Sequence, residues 1–247
     1  MTSTAVLKAE AYKLRSLNST AWLLGITALV SLTLSGVAVR SPMEGEEAAL
    51  SEVLVGPAFA QFLIMVFASR SATMEFRTGT IWQSRLAVPS WTRLLLGKAG
   101  VIAVLAALMG VVLGAGGVAV ASVVAPDADV VPSGGLEWRQ LLTVPVALAL
   151  VAVLSLAVGL LLKSGGATIT VLLVWALVVE PALSATGDWL AGIDIGPWMP
   201  FLALSDFQGQ SGGVSFPGGP YLACVYVAAV TAALLAVAIK VQERREP

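Results

Sequence analysis

Six uninterrupted apolar runs, at about 20–39, 53–73, 99–124, 140–162, 167–187 and 220–240, decide what this chain can fold into. Each approaches the roughly 20 residues that a helix needs to cross the hydrocarbon of a bilayer. None alternates polar with apolar positions as barrel strands do, and in lipid a continuous run satisfies its backbone as a helix. The gaps are too short to hold a second domain. The sequence therefore predicts an all-α integral membrane protein with six transmembrane helices, a single membrane domain over 1–247. With 57% hydrophobic and 12% charged residues, the chain has too little polar surface to cover a water-soluble globule.

Basic residues flanking the spans are retained on the cytoplasmic side. Lys8, Lys13 and Arg15 precede the first run, Arg70, Arg77, Arg85, Arg93 and Lys98 surround the second gap, Lys163 sits in the fourth, and Lys240, Arg244 and Arg245 follow the last. Of the 14 Lys and Arg residues, only Arg40 and Arg139 fall in the alternate gaps, which carry Glu44, Glu46, Glu47, Glu52, Asp127, Asp129, Glu137, Asp188, Asp194 and Asp206 instead. Both termini are expected in the cytoplasm. The first run is read as a span and not a cleavable signal, because it exceeds the usual ~7 to 15 residue apolar core of a signal peptide and Arg40 opposes a small-residue cleavage site. The abundance of Ala, Val, Leu and Gly fits a bacterial genome of high GC content, which makes the inner (plasma) membrane the expected location of this multi-pass chain.

Residues 4–18 place Leu7, Ala11, Leu14 and Leu17 on one helical face and Lys8, Lys13 and Arg15 off it, the pattern of an N-terminal interfacial helix contacting membrane lipid; a plain basic flank is the alternative. Between the second and third runs lies a loop with turn residues at both ends. Gly79 and Thr80 are read as a turn and a cap for a short helix from Ile81 to Ala87, Pro89 as its end, and Ser90 as the cap of a second helix running through Arg93 and Lys98. Ile81, Trp82, Arg85 and Leu86 would give the short helix a mixed apolar and cationic surface. The stretch 188–219 is rich in Gly, Pro and aromatic residues. Short extracellular re-entrant or interfacial helices are expected around 188–206, before the last span, with Trp138, Trp189 and Trp198 at the level of an outer aromatic belt.

The chain has no histidine, one cysteine (Cys224, inside the last run), no phosphate-binding glycine loop and no pair of intramembrane carboxylates. Catalysis, metal binding, a cofactor and nucleic-acid binding are not expected of it. Glu180, followed by Pro181, is the one carboxylate well inside a run. A charge there costs roughly 2.5 to 3.5 kcal/mol on insertion scales, so it either faces a translocation path or gate, or marks an early helix end from which it reaches outer water. Pro181 is expected to break or kink the fifth helix. Ala106, Gly110 and Gly114 form a small-residue stripe for close helix packing, within the chain or, as the alternative, at a dimer face.

Taken together, the amphipathic start, the six spans, the loop reading Glu75-x-x-x-Gly79-Thr80-Ile81, then Pro89-x-x-x-Arg93, then Lys98, and the helices before the sixth span resemble the permease subunits of type-2 ABC transporters, the exporter class. The resemblance implies a dimer of permeases, identical or paralogous, on a dimer of separate ATPase subunits that bind the ATP. It also implies that the loop is a coupling helix docking on the ATPase through Glu75, Gly79, Thr80, Ile81, Trp82 and Arg85, with Glu180 and Pro181 at the fifth-helix break. The competing readings are an ATP-independent secondary carrier or membrane scaffold subunit, and, more remotely, an intramembrane enzyme. Nothing in the chain names the cargo, although short outer loops and an apolar bundle favour an amphipathic or lipid-like one.

Overall fold

A computed structural model describes residues 8–13, 18–41, 50–88, 90–128, 130–191, 194–210 and 214–244. Among these there is no strand, and six helices are long and apolar enough to cross a membrane. The expected interfacial helix is described only over 8–13, which is helical; 4–7 and 14–17, Pro89, and the side chain of Trp189 lie outside the described residues.

The first span is α1 (Asn18–Arg40). A single turn, α2 (Leu50–Val53), leads into α3 (Val55–Thr78), the second span; then come the short α4 (Ile81–Ala87), α5 (Trp91–Val124) and α6 (Gly135–Leu162), the third and fourth spans. The fifth span starts as α7 (Gly165–Val174), widens into one π-helical turn (Trp175–Val179) and continues as α8 (Glu180–Ala191). A 3₁₀ turn (Gly196–Trp198) and α9 (Pro200–Gln208) precede α10 (Pro220–Arg244), the sixth span. The helices outrun the apolar stretches that announced them. At 34 residues α5 is about 51 Å long, well beyond the ~30 Å needed to cross a hydrocarbon core.

In the bundle α6 and α3 are central. The fourth span has 61% of its most apolar stretch buried and the second 50%, against 17% for the fifth. The reason is the residue size on their meeting faces. Gly159 of α6 lies so close to α3 that a Cβ there would stand 2.9 Å from the Ala72 methyl, and Ala152, Ser155 and Ala157 are fully buried. With no hydrophobic force between helices in lipid, close contact of this kind is what holds spans together. On α1 the small polar residues Thr27, Ser31 and Ser35 face inward; Ser35 donates to the Val53 carbonyl at 2.6 Å, and Gly56 lies directly against the Ser31 carbonyl and the Ser35 hydroxyl. The Ala106, Gly110, Gly114 stripe packs within the chain, Gly110 against the backbone of Pro145 and Gly114 against Leu141. Large apolar side chains such as Leu29, Val104, Leu108, Leu177 and Val225 point outward. In water they would be an aggregation hazard; in a bilayer they are the solvated face.

Candidate functional site

The chain gathers its ionic chemistry at one end of the bundle, around the connection from α3 to α5. Gly79 ends α3 in the left-handed region, at φ 70°, which redirects the chain without steric penalty. Thr80 does not cap α4 as expected: its backbone is already helical, and its hydroxyl pairs with that of Thr78 at 2.9 Å. Ser90 does cap α5, its hydroxyl accepting from the Arg93 N–H at 3.4 Å. Val88 is extended, as a residue before proline prefers.

The seven residues of α4 divide into an inner and an outer side. Ile81, expected on the docking surface, is instead 4% exposed and joins the core beside Val88, Trp91 and Leu94. Trp82 and Leu86 face outward at 59% and 87% exposure. Arg85 lies between the two sides with its guanidinium carbon 4.8 Å from the centre of the Trp91 ring, a cation–π contact that ties α4 to the start of α5.

Glu75, also expected to touch a partner, is 4% exposed and is the hub of an internal ion cluster. One carboxylate oxygen accepts from both Lys13 and Lys98. Lys98 reaches on to Glu10 at 3.4 Å and to the Ser71 carbonyl at 3.4 Å, and Lys13 to the Ser84 hydroxyl of α4 at 3.5 Å. The cluster therefore binds the N-terminal segment, α3, α4 and α5 into one body. At the same end Thr92 donates to Glu243 at 2.9 Å and Gln242 to the Leu160 carbonyl at 2.7 Å, so the last helix is attached as well. Glu10 and Lys13 escaped a motif-based reading because their partners are more than sixty positions away. The visible signal was only that both lie on an amphipathic segment.

Removing one partner of a buried pair leaves a charge without compensation, which typically costs about 3 to 5 kcal/mol. Lys98→Met strips the buried Glu10 of its partner and is therefore expected to lower the thermal unfolding midpoint sharply, and Glu10→Gln/Lys98→Met, which leaves Glu75 paired with Lys13, to recover at least half of the loss. Intrinsic tryptophan fluorescence of the detergent-solubilised protein would read both. Equal stability of Lys98→Met and the native chain would show that the cluster is not buried in the way described.

At the opposite end Glu180 does not reach outer water; it is 0% exposed. Its carboxylate accepts from the Trp175 indole at 2.7 Å and from the backbone N–H groups of Phe201 and Leu202 at 2.9 and 3.0 Å. Those two groups are unpaired donors in the first turn of α9, where a negative charge is also favoured by the helix dipole. Glu180 is thus the clasp between the fifth span and α9. Pro181 does not end the helix. The irregularity it was expected to cause falls one turn earlier, as the π turn, and the helix runs on to Ala191. Beside this clasp, a cavity of about 580 Å³ opens between α1, α3, the π turn and α9, mostly apolar but with Gln61, Ser205, Gln208 and Gln210 on its wall; Gln61 donates to Gln208 at 2.9 Å.

Among the described residues no group of His, Cys, Asp or Glu side chains is arranged to hold a metal ion. No known protein-family model matches the chain, and no curated protein matches it. The arrangement is a short helix braced by a buried ion cluster at the basic end and a clasped helix beside a cavity at the opposite end.

Proposed function

We propose that the chain is the membrane-spanning permease subunit of an ATP-driven type-2 ABC exporter, set in a bacterial plasma membrane with its basic end in the cytoplasm. It works with a second permease copy and a dimer of ATPase subunits. The observation that carries the reading is the posture of α4. Apolar side chains on a span need only lipid, but Trp82 and Leu86 stand on a short helix in the connection between two candidate spans, outside the helices long and apolar enough to cross a membrane. An outward apolar pair on a helix braced by a buried ion cluster suits a surface that a soluble subunit grips and pushes.

The chain has no phosphate loop, so the energy comes from the partner. When ATP closes the ATPase dimer, the push on α4 passes through Arg85, Trp91 and the Glu75 cluster to α3 and α5 as a rigid-body motion. Coupling requires that α4 contact the two ATPase states with different free energies.

Isolation of the tagged chain from its native membranes in mild detergent is the test. The expected result is an ATPase with a phosphate loop, present in equal amount to the permease and identified by mass spectrometry. Recovery of the chain with no nucleotide-hydrolysing subunit, from membranes that contain both, would overturn the reading.

A further inference from the structure

The cavity between α1, α3, the π turn and α9 holds about 580 Å³, inside the ~300 to 1,000 Å³ range of small-molecule sites. Its apolar walls are Leu34 from α1, Phe59 and Phe62 from α3, Ala176 from the π turn and Phe201 from α9. No charged residue lines it. The carboxylates closest along the chain are engaged elsewhere: Glu180 by Trp175, Phe201 and Leu202, and Asp206 by the Phe216 N–H at 3.0 Å. The cavity opens at the side of the bundle. α1 packs chiefly on α3 and α5, not on the fifth span or α9, which leaves a gap between two peripheral spans. Phe59, at the rim, is 44% exposed.

The polar part of the wall centres on a pair of amides. Gln208 is 2% exposed, and its carbonyl oxygen accepts from the Gln61 amide at 2.9 Å. That single bond leaves the Gln208 amide nitrogen, a donor, and the Gln61 amide oxygen, an acceptor, with no other hydrogen bond among the described residues. Turning both amides over exchanges the two roles and leaves the same pair free. The Ser205 hydroxyl donates to the Leu202 carbonyl at 2.7 Å, so toward the cavity it can only accept. Buried amide groups without partners are costly, and the apolar walls supply none. A hydrocarbon would leave the amides bare, and an ionic head would lose its hydration with no counter-charge in return. A head that carries one acceptor and one donor, on an apolar tail, matches both parts of the wall.

We propose that this cavity binds an uncharged amphipath, whose tail lies against Phe59, Phe62 and Phe201 and whose head accepts from the Gln208 amide and donates to the Gln61 amide oxygen. The site does not rest on the exporter reading, because the chain alone is enough to test it. The probe is a 1-monoacylglycerol with a photoreactive diazirine in its tail, added to the full-length chain in phosphatidylcholine nanodiscs. Labelled residues are read by mass spectrometry, and saturable labelling is expected at Phe59, Phe62 and Phe201. Three competitors share one lauryl tail: 1-monolauroylglycerol, laurate and dodecyltrimethylammonium. The uncharged one displaces the label roughly ten-fold or more better than either ion. Gln61→Leu/Gln208→Leu removes both amides together and so orphans neither, and it lowers the affinity for 1-monolauroylglycerol roughly ten-fold while leaving the two ions unchanged.

An unfolding midpoint equal to the native one guards against a misfolded variant. Should the leucine variant prove unstable, Ala176→Phe, which fills the cavity without touching the amides, carries the test by abolishing saturable labelling. Equal displacement by the three heads, or labelling that never saturates, would show plain lipid-facing surface and overturn the site. So would an unlabelled cavity in a chain that cross-links to a second copy through Phe59, since the occupant would then be protein.

Discussion

Gly110→Ala is expected to abolish most of the recoverable folded protein. The added methyl would lie 2.5 Å from the Pro145 Cα, 2.9 Å from the Pro145 nitrogen and 3.2 Å from the Val144 carbonyl carbon, all backbone atoms of α6. No rotamer change relieves such an overlap. The third and fourth spans must separate, at a cost of about 3 kcal/mol or more, and they form the broadest contact in the bundle. Two controls set the scale. Gly114→Ala meets the end of the Leu141 side chain at 3.0 Å, which can turn aside, so a loss within about 1 kcal/mol is expected. Gly25→Ala meets nothing within 4 Å and should match the native chain or exceed it slightly. Thermal unfolding with gel filtration of the three variants would read the order; a native midpoint for Gly110→Ala would mean that the crossing of α5 and α6 is looser than described.

The same position shows how much of the fold could be read in advance. Spacing alone marked Ala106, Gly110 and Gly114 as a packing stripe, because small residues one turn apart have few other uses in lipid. It could not name Pro145 as the partner, since which helices meet depends on the whole bundle. The spans were legible for a similar reason: in lipid the backbone must pair within the segment, so an apolar run of sufficient length leaves little choice. The start of α5 was legible as well: Ser90 signals the cap of a helix running through Arg93 and Lys98 into the third span, and α5 begins at Trp91 with that cap.

At the basic end, turn chemistry gave α4 its place, while side-chain direction was lost to the sequence. Ile81, Trp82, Arg85 and Leu86 look alike as a mixed surface, but on a helix of seven residues the direction of each is set by what α3 and α5 offer beneath it. Ile81 went inward and Trp82 and Leu86 outward. Glu75 was expected to contact a partner and proves to be a brace, because Lys13 and Lys98 approach it from segments that no local pattern relates. At the other end the Glu180-Pro181 pair correctly marked an irregular fifth helix. The π turn upstream and the clasp onto α9 depend on the Phe201 and Leu202 N–H groups, twenty-one and twenty-two residues away.

The Glu75 brace changes which substitution can probe coupling cleanly. Loss of Glu75 or Lys98 would disturb the fold itself, whereas Leu86 and Trp82 can be altered with little effect on it, being 87% and 59% exposed. Leu86→Glu places a charge at the centre of the outward apolar pair and touches neither the ion cluster nor Trp91. If α4 is what the ATPase grips, Leu86→Glu removes an interface anchor worth about 2 kcal/mol or more, which corresponds to roughly thirty-fold in affinity.

The decisive measurement is the affinity of the proposed ATPase partner, purified after its isolation with the chain, for the native chain and for Leu86→Glu, each in nanodiscs and each shown to have the same unfolding midpoint. A drop of roughly thirty-fold or more in the variant, with loss of permease-stimulated ATP hydrolysis, is the predicted result. Equal affinity and equal stimulation would contradict the claim that α4 is the handle.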